Sequence, residues 1–101
     1  MLWNGVVTVS VILNKSGHLC VLPCVTQTGI GDGAAASDFV AAATLAVEDA
    51  IEVLGKTARR QNDSVEEVVS QAVRRLARSM FGLRPIAQVH IMRIAEEDLH
   101  A

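Results

Sequence analysis

The chain has 101 residues, 50% of them hydrophobic and 20% charged, and its formal net charge is −2. This length fits one domain with a single core, and the composition excludes disorder over the whole chain. The near-neutral charge excludes a uniformly basic nucleic-acid binder but not a local basic patch. The apolar runs are interrupted within about a dozen residues, too short to cross a membrane, so we expect no membrane partner.

The first residues and the two cysteines predict a cytoplasmic protein. Residues 1–5 offer neither the basic segment nor the long apolar segment of a signal peptide. Cys20 and Cys24 lie four apart in a predicted strand, which separates their Cα atoms by about 13 Å. A disulfide needs about 4.4–6.8 Å, so both are expected to be free thiols in a reducing compartment.

Two antiparallel strands are predicted at the start of the chain. Residues 3–13 alternate apolar and polar side chains with period two, which is typical of a half-buried strand. The turn at residues 14–17 is short and contains Gly17, so residues 18–26 should return antiparallel to the first strand. Pro23 cannot donate a ladder hydrogen bond, which predicts an edge position for the second strand. The apolar face of the first strand comprises Val7, Val9, Val11 and Leu13.

Two helices should follow a glycine-rich loop at residues 27–36. The first is predicted to begin at an N-cap, Ser37, and to stop at Gly55. The second should open with a capping box at residues 64–67 after a polar link over residues 56–62, and end at Gly82. The predicted apolar stripes are Phe39, Ala43, Ala46, Val47, Ala50, Ile51 and Leu54, then Val65, Val68, Val69, Ala72, Leu76 and Met80. The acidic residues Glu48, Asp49 and Glu52 should face away from the core.

A third strand completes the predicted fold. The Arg84-Pro85 pair forces extended backbone, and residues 86–94 then alternate. Residues 95–101 should be a frayed acidic tail. We therefore predict one α+β domain over residues 1–101, a two-layer sandwich of element order β-β-α-α-β. Its three-stranded mixed sheet has the order 2-1-3, with two helices packed on one face.

The face of this sheet away from the helices is predicted to be an interface. It alternates polar and apolar side chains, too polar for a core and more apolar than a free surface needs. We expect it to contact a second copy in a homodimer, or other domains of the same protein. The candidate interface residues are Thr8, Ser10, Ile12, Gln88, His90 and Met92.

Charge is segregated along the chain. Residues 32–52 carry five acidic and no basic residues, whereas residues 56–84 carry seven basic against three acidic. Three interpretations stay open for the basic side: a solvated helix face, an RNA contact, or a contact with an acidic subunit surface. The candidate anion-binding residues are Arg59, Arg60, Arg74, Arg75, Arg78 and Arg84.

No pattern of catalytic residues stands out. His18, His90 and His100 form no metal-ligand spacing with one another, and no Cys-x-x-Cys pair occurs. The Gly29–Gly33 stretch lacks the lysine and hydroxyl of a phosphate-binding loop. We predict that the chain alone has no catalytic residues, no metal and no cofactor.

The order of these motifs resembles a known family. The run from Trp3 to Val11, followed by the 14–17 turn, looks like the opening of the C-terminal domain of ribonuclease J. The acidic first helix, the Arg59-Arg60 link and residues 65–75 are similar to its alphaproteobacterial version. Residues 82–94, a basic residue and a proline followed by an alternating strand, resemble the family's closing strand.

The resemblance implies a domain that supports another part of the same enzyme. Ribonuclease J is a metallo-β-lactamase and β-CASP hydrolase that degrades mRNA and matures RNA with two divalent ions, Zn or Mn. Its metal-binding histidine motif lies elsewhere, so no catalytic residue carries over to this chain. The implied function is a non-catalytic accessory and oligomerisation domain. The alternative is an autonomous RNA-binding module that uses the arginine face of the second helix.

Overall fold

The computed structural model describes residues 5–15, 17–30 and 33–94. Its elements are β1 (Val6–Leu13), β2 (Cys24–Thr28), α1 (Gly33–Val53), α2 (Lys56–Arg59), α3 (Asn62–Phe81) and β3 (Ile86–Arg93). The three strands form one sheet in the order β2-β1-β3, with β1 antiparallel to β2 and parallel to β3. The predicted α+β class, mixed sheet and strand order are confirmed. The predicted acidic tail lies outside the described residues.

The core lies between one face of the sheet and the two long helices. Val7, Val9, Val11 and Leu13 of β1 are at most 1% exposed, which confirms the predicted apolar face. The helices α1 and α3 contact each other, with α1 also against β2 and α3 against β3. Phe39 near the start of α1 meets Phe81 at the end of α3 with ring centroids 5.9 Å apart, so the helices run antiparallel. The buried helix residues are Phe39, Ala43, Val47, Ile51, Val65, Val69, Val73 and Ala77.

The two predicted helix starts are wrong. α1 begins at Gly33, so Ser37 is an exposed residue inside the helix rather than its N-cap. α3 begins at Asn62 after Gln61, and the Ser64 hydroxyl donates to Gln61 Oε1 at 3.4 Å instead of capping the helix. The three alanines at positions 34–36 favour helix, which explains why α1 begins before Ser37.

Several further details of the helices differ from expectation. The predicted polar link contains the short helix α2, and Gly55 precedes it with extended backbone rather than ending α1 in the left-handed region. Met80 is 39% exposed and Val73 fully buried, because the buried stripe of α3 follows a strict four-residue spacing. Glu48 is half-buried rather than facing away. The end of α3 at Gly82 is confirmed, with φ 67° and its N–H donating to the Arg78 carbonyl at 2.8 Å.

The second strand is shorter than predicted and starts later. It spans Cys24–Thr28, so Pro23 lies buried just before it rather than within it. The predicted edge position is confirmed, since β2 pairs with β1 alone. Between the strands, Leu13 and Leu19 form an isolated antiparallel bridge, and Gly17 takes the left-handed φ of 89° expected for the turn.

An arginine fixes β3 to the helical layer. Arg93 extends from the covered face of the sheet to the junction of α2 and α3, where its Nε donates to Asn62 Oδ1 at 2.9 Å. Its Nη2 donates to the Arg59 carbonyl at 2.7 Å, which satisfies a backbone acceptor at the end of α2. Partial burial of the guanidinium lowers the pKa of Arg93 by desolvation.

Candidate functional site

The open face of the sheet is defined as the even-numbered residues of the three strands, and none of the helices in the described part of the chain lies over it. The register pairs Val6 with Ile86 at one end and Ile12 with Met92 at the other. Ile86 and Met92 on the edge strand are 54% and 56% exposed. The six predicted interface residues all lie on this face, together with Val6, Ile86, Cys24, Thr26 and Thr28.

The centre of the open face is polar. Thr8 pairs with Gln88 and Ser10 with His90, and the Thr8 hydroxyl donates to Gln88 Oε1 at 3.4 Å. Each pair of opposite residues on β1 and β3 forms one row of the open face. From the Val6–Ile86 pair to the Ile12–Met92 pair, the four rows are therefore apolar, polar, polar and apolar. This order is the same read in either direction, so a two-fold contact that reverses the strand direction would place apolar rows on apolar rows and polar rows on polar rows.

Among the described residues, no strand pairs with the outer edge of β3, so this edge adds unpaired backbone groups to the surface. The N–H of Ile86 donates to Gly5 and that of Ile94 to Leu13. By the two-residue period of a parallel ladder, even-numbered residues of β3 bond β1, and odd-numbered ones direct their N–H and C=O outward. Ala87, Val89 and Ile91 thus present a row of backbone groups along the edge.

A second feature is the arginine groove, a depression of about 620 Å³ between α3 and the start of β3. Three of its arginines come from α3 and Arg84 from the connection to β3. Its apolar side is formed by Pro85, Ile86 and Ala87. The α3 side consists of Gln71, Arg74, Arg75 and Arg78.

The guanidinium groups of the arginine groove are exposed and lack protein anions. In the described part of the chain, none of Arg74, Arg75, Arg78 and Arg84 forms an ion pair. The nearest acidic cluster, Asp63, Glu66 and Glu67, lines a separate depression further up α3, with Gln71 and Arg74 shared between the two. The exposed face of α3 is therefore acidic in its first half and basic in its second.

The other two predicted arginines lie elsewhere. Arg59 and Arg60 belong to the α2 region at the opposite end of α3, about 20 Å from Arg74 at 1.5 Å per helical residue. Arg59 is half-buried, its Nε is buried, and its carbonyl accepts a hydrogen bond from Arg93. The structure joins four of the six predicted arginines into one site.

Several residues of the open face and the arginine groove are not among the predicted site residues. Ile86 belongs to both the open face and the arginine groove, and its place on the open face follows from the alternation of the third strand. Gln71, Pro85 and Ala87 carry no charge and became part of the groove only through the packing of α3 against β3. No periodicity in the sequence indicates that contact.

Within residues 5–15, 17–30 and 33–94, no three His, Cys, Asp or Glu side chains are grouped so as to hold a metal ion. None of the helices described there is both long and apolar enough to cross a membrane. Cys20 and Cys24 are free thiols, as predicted.

The fold and surfaces define a small α+β domain with one uncovered sheet face and a basic groove at its edge. A family profile described as the Ribonuclease J C-terminal domain matches residues 1–94, nearly the whole chain. The chain therefore belongs to the ribonuclease J C-terminal domain family, as the resemblance predicted. A search of curated proteins found no match. The family indicates an accessory domain whose parent protein is a ribonuclease, a hydrolase.

Proposed function

We propose that this chain is a non-catalytic accessory domain that holds two copies of a metal-dependent ribonuclease together through the open face. The single observation that carries the proposal is the apolar, polar, polar, apolar order of the face. The parent enzyme would act in the cytoplasm in mRNA decay and RNA maturation. Its two divalent ions, Zn or Mn, would be held by another portion of the enzyme.

A two-fold axis through the centre of the open face explains its composition. It would place the Val6–Ile86 row of one copy on the Ile12–Met92 row of the other and join the polar centres. Apolar burial at both ends supplies the attraction, while hydrogen bonds among Thr8, Ser10, Gln88 and His90 fix the register. Ile86 and Met92, which are 54% and 56% exposed, are the apolar side chains that this contact would bury.

Sedimentation velocity on the 101-residue chain near 100 μM tests the contact. We expect a dimer that becomes a monomer when Met92→Lys places a charge in the apolar row. The matched control is Val53→Lys, since Val53 is 82% exposed at the end of α1, away from the sheet. A wild-type monomer at this concentration, or equal dissociation of both variants, would contradict the proposal.

The edge of β3 and docking on other domains are distinguishable alternatives. Gln88→Glu and His90→Asp add charges at the centre of the open face without changing the backbone edge. If the dimer survives both substitutions, the copies pair along the β3 edge instead. If the chain is a monomer but these substitutions dissociate the full-length ribonuclease, the open face contacts another domain of the parent.

Absence of catalysis by the chain alone is a separate prediction. Two-metal hydrolysis needs a cage of histidine and carboxylate ligands, and none is grouped in the described residues. We expect no cleavage of labelled RNA by the highly purified chain with Mn²⁺ or Zn²⁺. Metal-dependent cleavage that a point substitution within the chain abolishes would contradict this.

A further inference from the structure

We infer that the arginine groove binds single-stranded RNA, a function beyond the association proposed for the open face. The groove gathers four exposed guanidinium groups, Arg74, Arg75, Arg78 and Arg84, around about 620 Å³ of space. None of the four has an ion-pair partner among the described residues. Their positive charges therefore repel one another, and no protein anion in that part of the chain offsets them. An anionic ligand supplies the missing charge.

The helix dipole explains only part of this cluster. Basic residues in the last turns of a helix and acidic ones in the first are favourable, typically by about 0.3–1 kcal/mol each. That effect accounts for the placement of Arg78 in the last turn of α3 and Asp63 in the first. It does not account for Arg84, which lies beyond the helix end and adds a fourth charge to the same groove.

Phosphodiester groups fit the spacing and geometry of the cluster. Arg74 and Arg78 lie one helical turn apart, about 6 Å along the axis, comparable to the separation of neighbouring phosphates in an extended strand. A guanidinium binds phosphate through two parallel N–H donors, which is why arginine rather than lysine suits such a site. Every basic residue lining the groove is an arginine.

The β3 side of the groove offers a nucleotide a backbone hydrogen-bond donor and an apolar surface. The N–H of Ala87 is directed toward the free edge and is available to a phosphate oxygen. Pro85 and Ala87 form the apolar side of the groove, against which a ribose or base can pack. Guanidinium planes themselves stack on unpaired bases, so recognition does not require the aromatic residues that are scarce here.

The size of the groove favours a single strand over a duplex. Its volume lies within the range of about 300–1,000 Å³ that holds one drug-sized ligand, which is the scale of one or two nucleotides. The groove lies between a helix and a strand edge, where a flexible strand can follow the arginines. The family also makes RNA the polymer that this domain accompanies.

Fluorescence anisotropy with a labelled single-stranded octauridylate tests the inference on the 101-residue chain. The groove variant is the triple substitution Arg74→Gln, Arg78→Gln and Arg84→Gln. The control removes three exposed charges at the opposite end, with Lys15→Gln, Lys56→Gln and Arg60→Gln, so both variants have the same net charge. Circular dichroism and sedimentation verify that each remains folded and keeps its oligomeric state.

For the wild type, we expect affinity to fall with log salt at a slope of about −3, the value for four neutralised phosphates of a single strand. The groove variant should bind at least about tenfold more weakly at low salt, with a slope near −1. The control should lose less than about threefold. The inference would be overturned if the two variants lost the same affinity for octauridylate. It would also be overturned if the wild type did not bind octauridylate at roughly 20 mM salt.

Two further probes separate the ligand classes. A blunt RNA duplex of the same length should bind more weakly than the single strand, and equal affinity would contradict the single-strand inference. An oligoglutamate of matched charge should bind more weakly still. If it binds as tightly as RNA, the groove is a contact for an acidic protein surface. Because the dimer is measured separately, either proposal can fail without the other.

Discussion

The two faces of one three-stranded sheet differ more than any other two regions of this molecule. On the face under α1 and α3, every residue from β1 is at most 1% exposed and apolar. On the open face, two polar rows lie between two apolar rows, and Ile86 and Met92 of the edge strand β3 are about half exposed. One face thus supplies the folding energy, while the other is free to serve association. The same strands perform both because side chains alternate across a strand.

Adjacent substitutions in β1 should separate the faces most strongly. Val9→Asp places an unpaired charge beneath both helices, which should cost several kcal/mol and unfold a domain with about 5–10 kcal/mol of stability. Ser10→Asp, one residue along on the open face, should cost less than about 1 kcal/mol. Urea denaturation followed by circular dichroism measures both. Equal losses would mean that the open face is covered in the folded chain.

A backbone substitution under the helical layer should have the next largest effect. Gly17 has φ 89°, and a Cβ there would lie 2.5 Å from Arg59 Cβ and 3.0 Å from its carbonyl oxygen. Gly17→Ala should therefore cost about 1–3 kcal/mol. Gly55→Ala is the control, because no atom lies within 4 Å and its φ is −68°. Its free energy of unfolding should change by less than about 1 kcal/mol; a comparable loss would contradict the contact.

The arginine that joins β3 to the helical layer gives a smaller expected loss. Arg93→Met keeps the aliphatic packing but removes the bonds to Asn62 and the Arg59 carbonyl. The expected cost is about 1–2 kcal/mol, since bonds to a charged donor are lost and a carbonyl loses its partner. Arg60→Met, exposed on the same side, should change the denaturation midpoint little. No difference between the two would show that Arg93 contributes nothing measurable.

The smallest expected effect concerns the exposed outer side of α1. Ser37 lies inside the helix, so Ser37→Ala should be neutral or stabilising by up to about 0.5 kcal/mol, because alanine is the better helix former. A true N-cap would instead lose about 1 kcal/mol. Thermal denaturation distinguishes a raised from a lowered midpoint. A lowered midpoint would restore Ser37 as the start of α1.

Periodicity predicted the layers of the fold but not the ends of its elements. Val7 to Leu13 and the Ala87, Val89 and Ile91 alternation set the sheet faces, because a one-residue shift would expose every apolar side chain. The predicted helix starts at Ser37 and Ser64 were wrong, since α1 begins at Gly33 and α3 at Asn62. α2 was missed because four residues carry too little pattern.

The two candidate sites also differ in how far the sequence predicted them. Alternation alone placed all six predicted residues of the open face on one surface. Counting charges found the arginines but could not separate Arg59, engaged with Arg93, from Arg84, which lies in the groove. That distinction depends on α3 packing beside β3, a contact between elements that only the folded chain defines.

The parallel pairing of β1 with β3 also determines when the domain can form. Thr8 and Gln88 are 80 positions apart, and the central strand keeps one unpaired edge until the last strand arrives. Closing so long a loop costs entropy before the ladder repays it, so folding should be slow for a domain of this size. During synthesis, β1 is completed long before β3, so this valine-rich strand has an open edge that can pair with other chains until residues 86–93 follow.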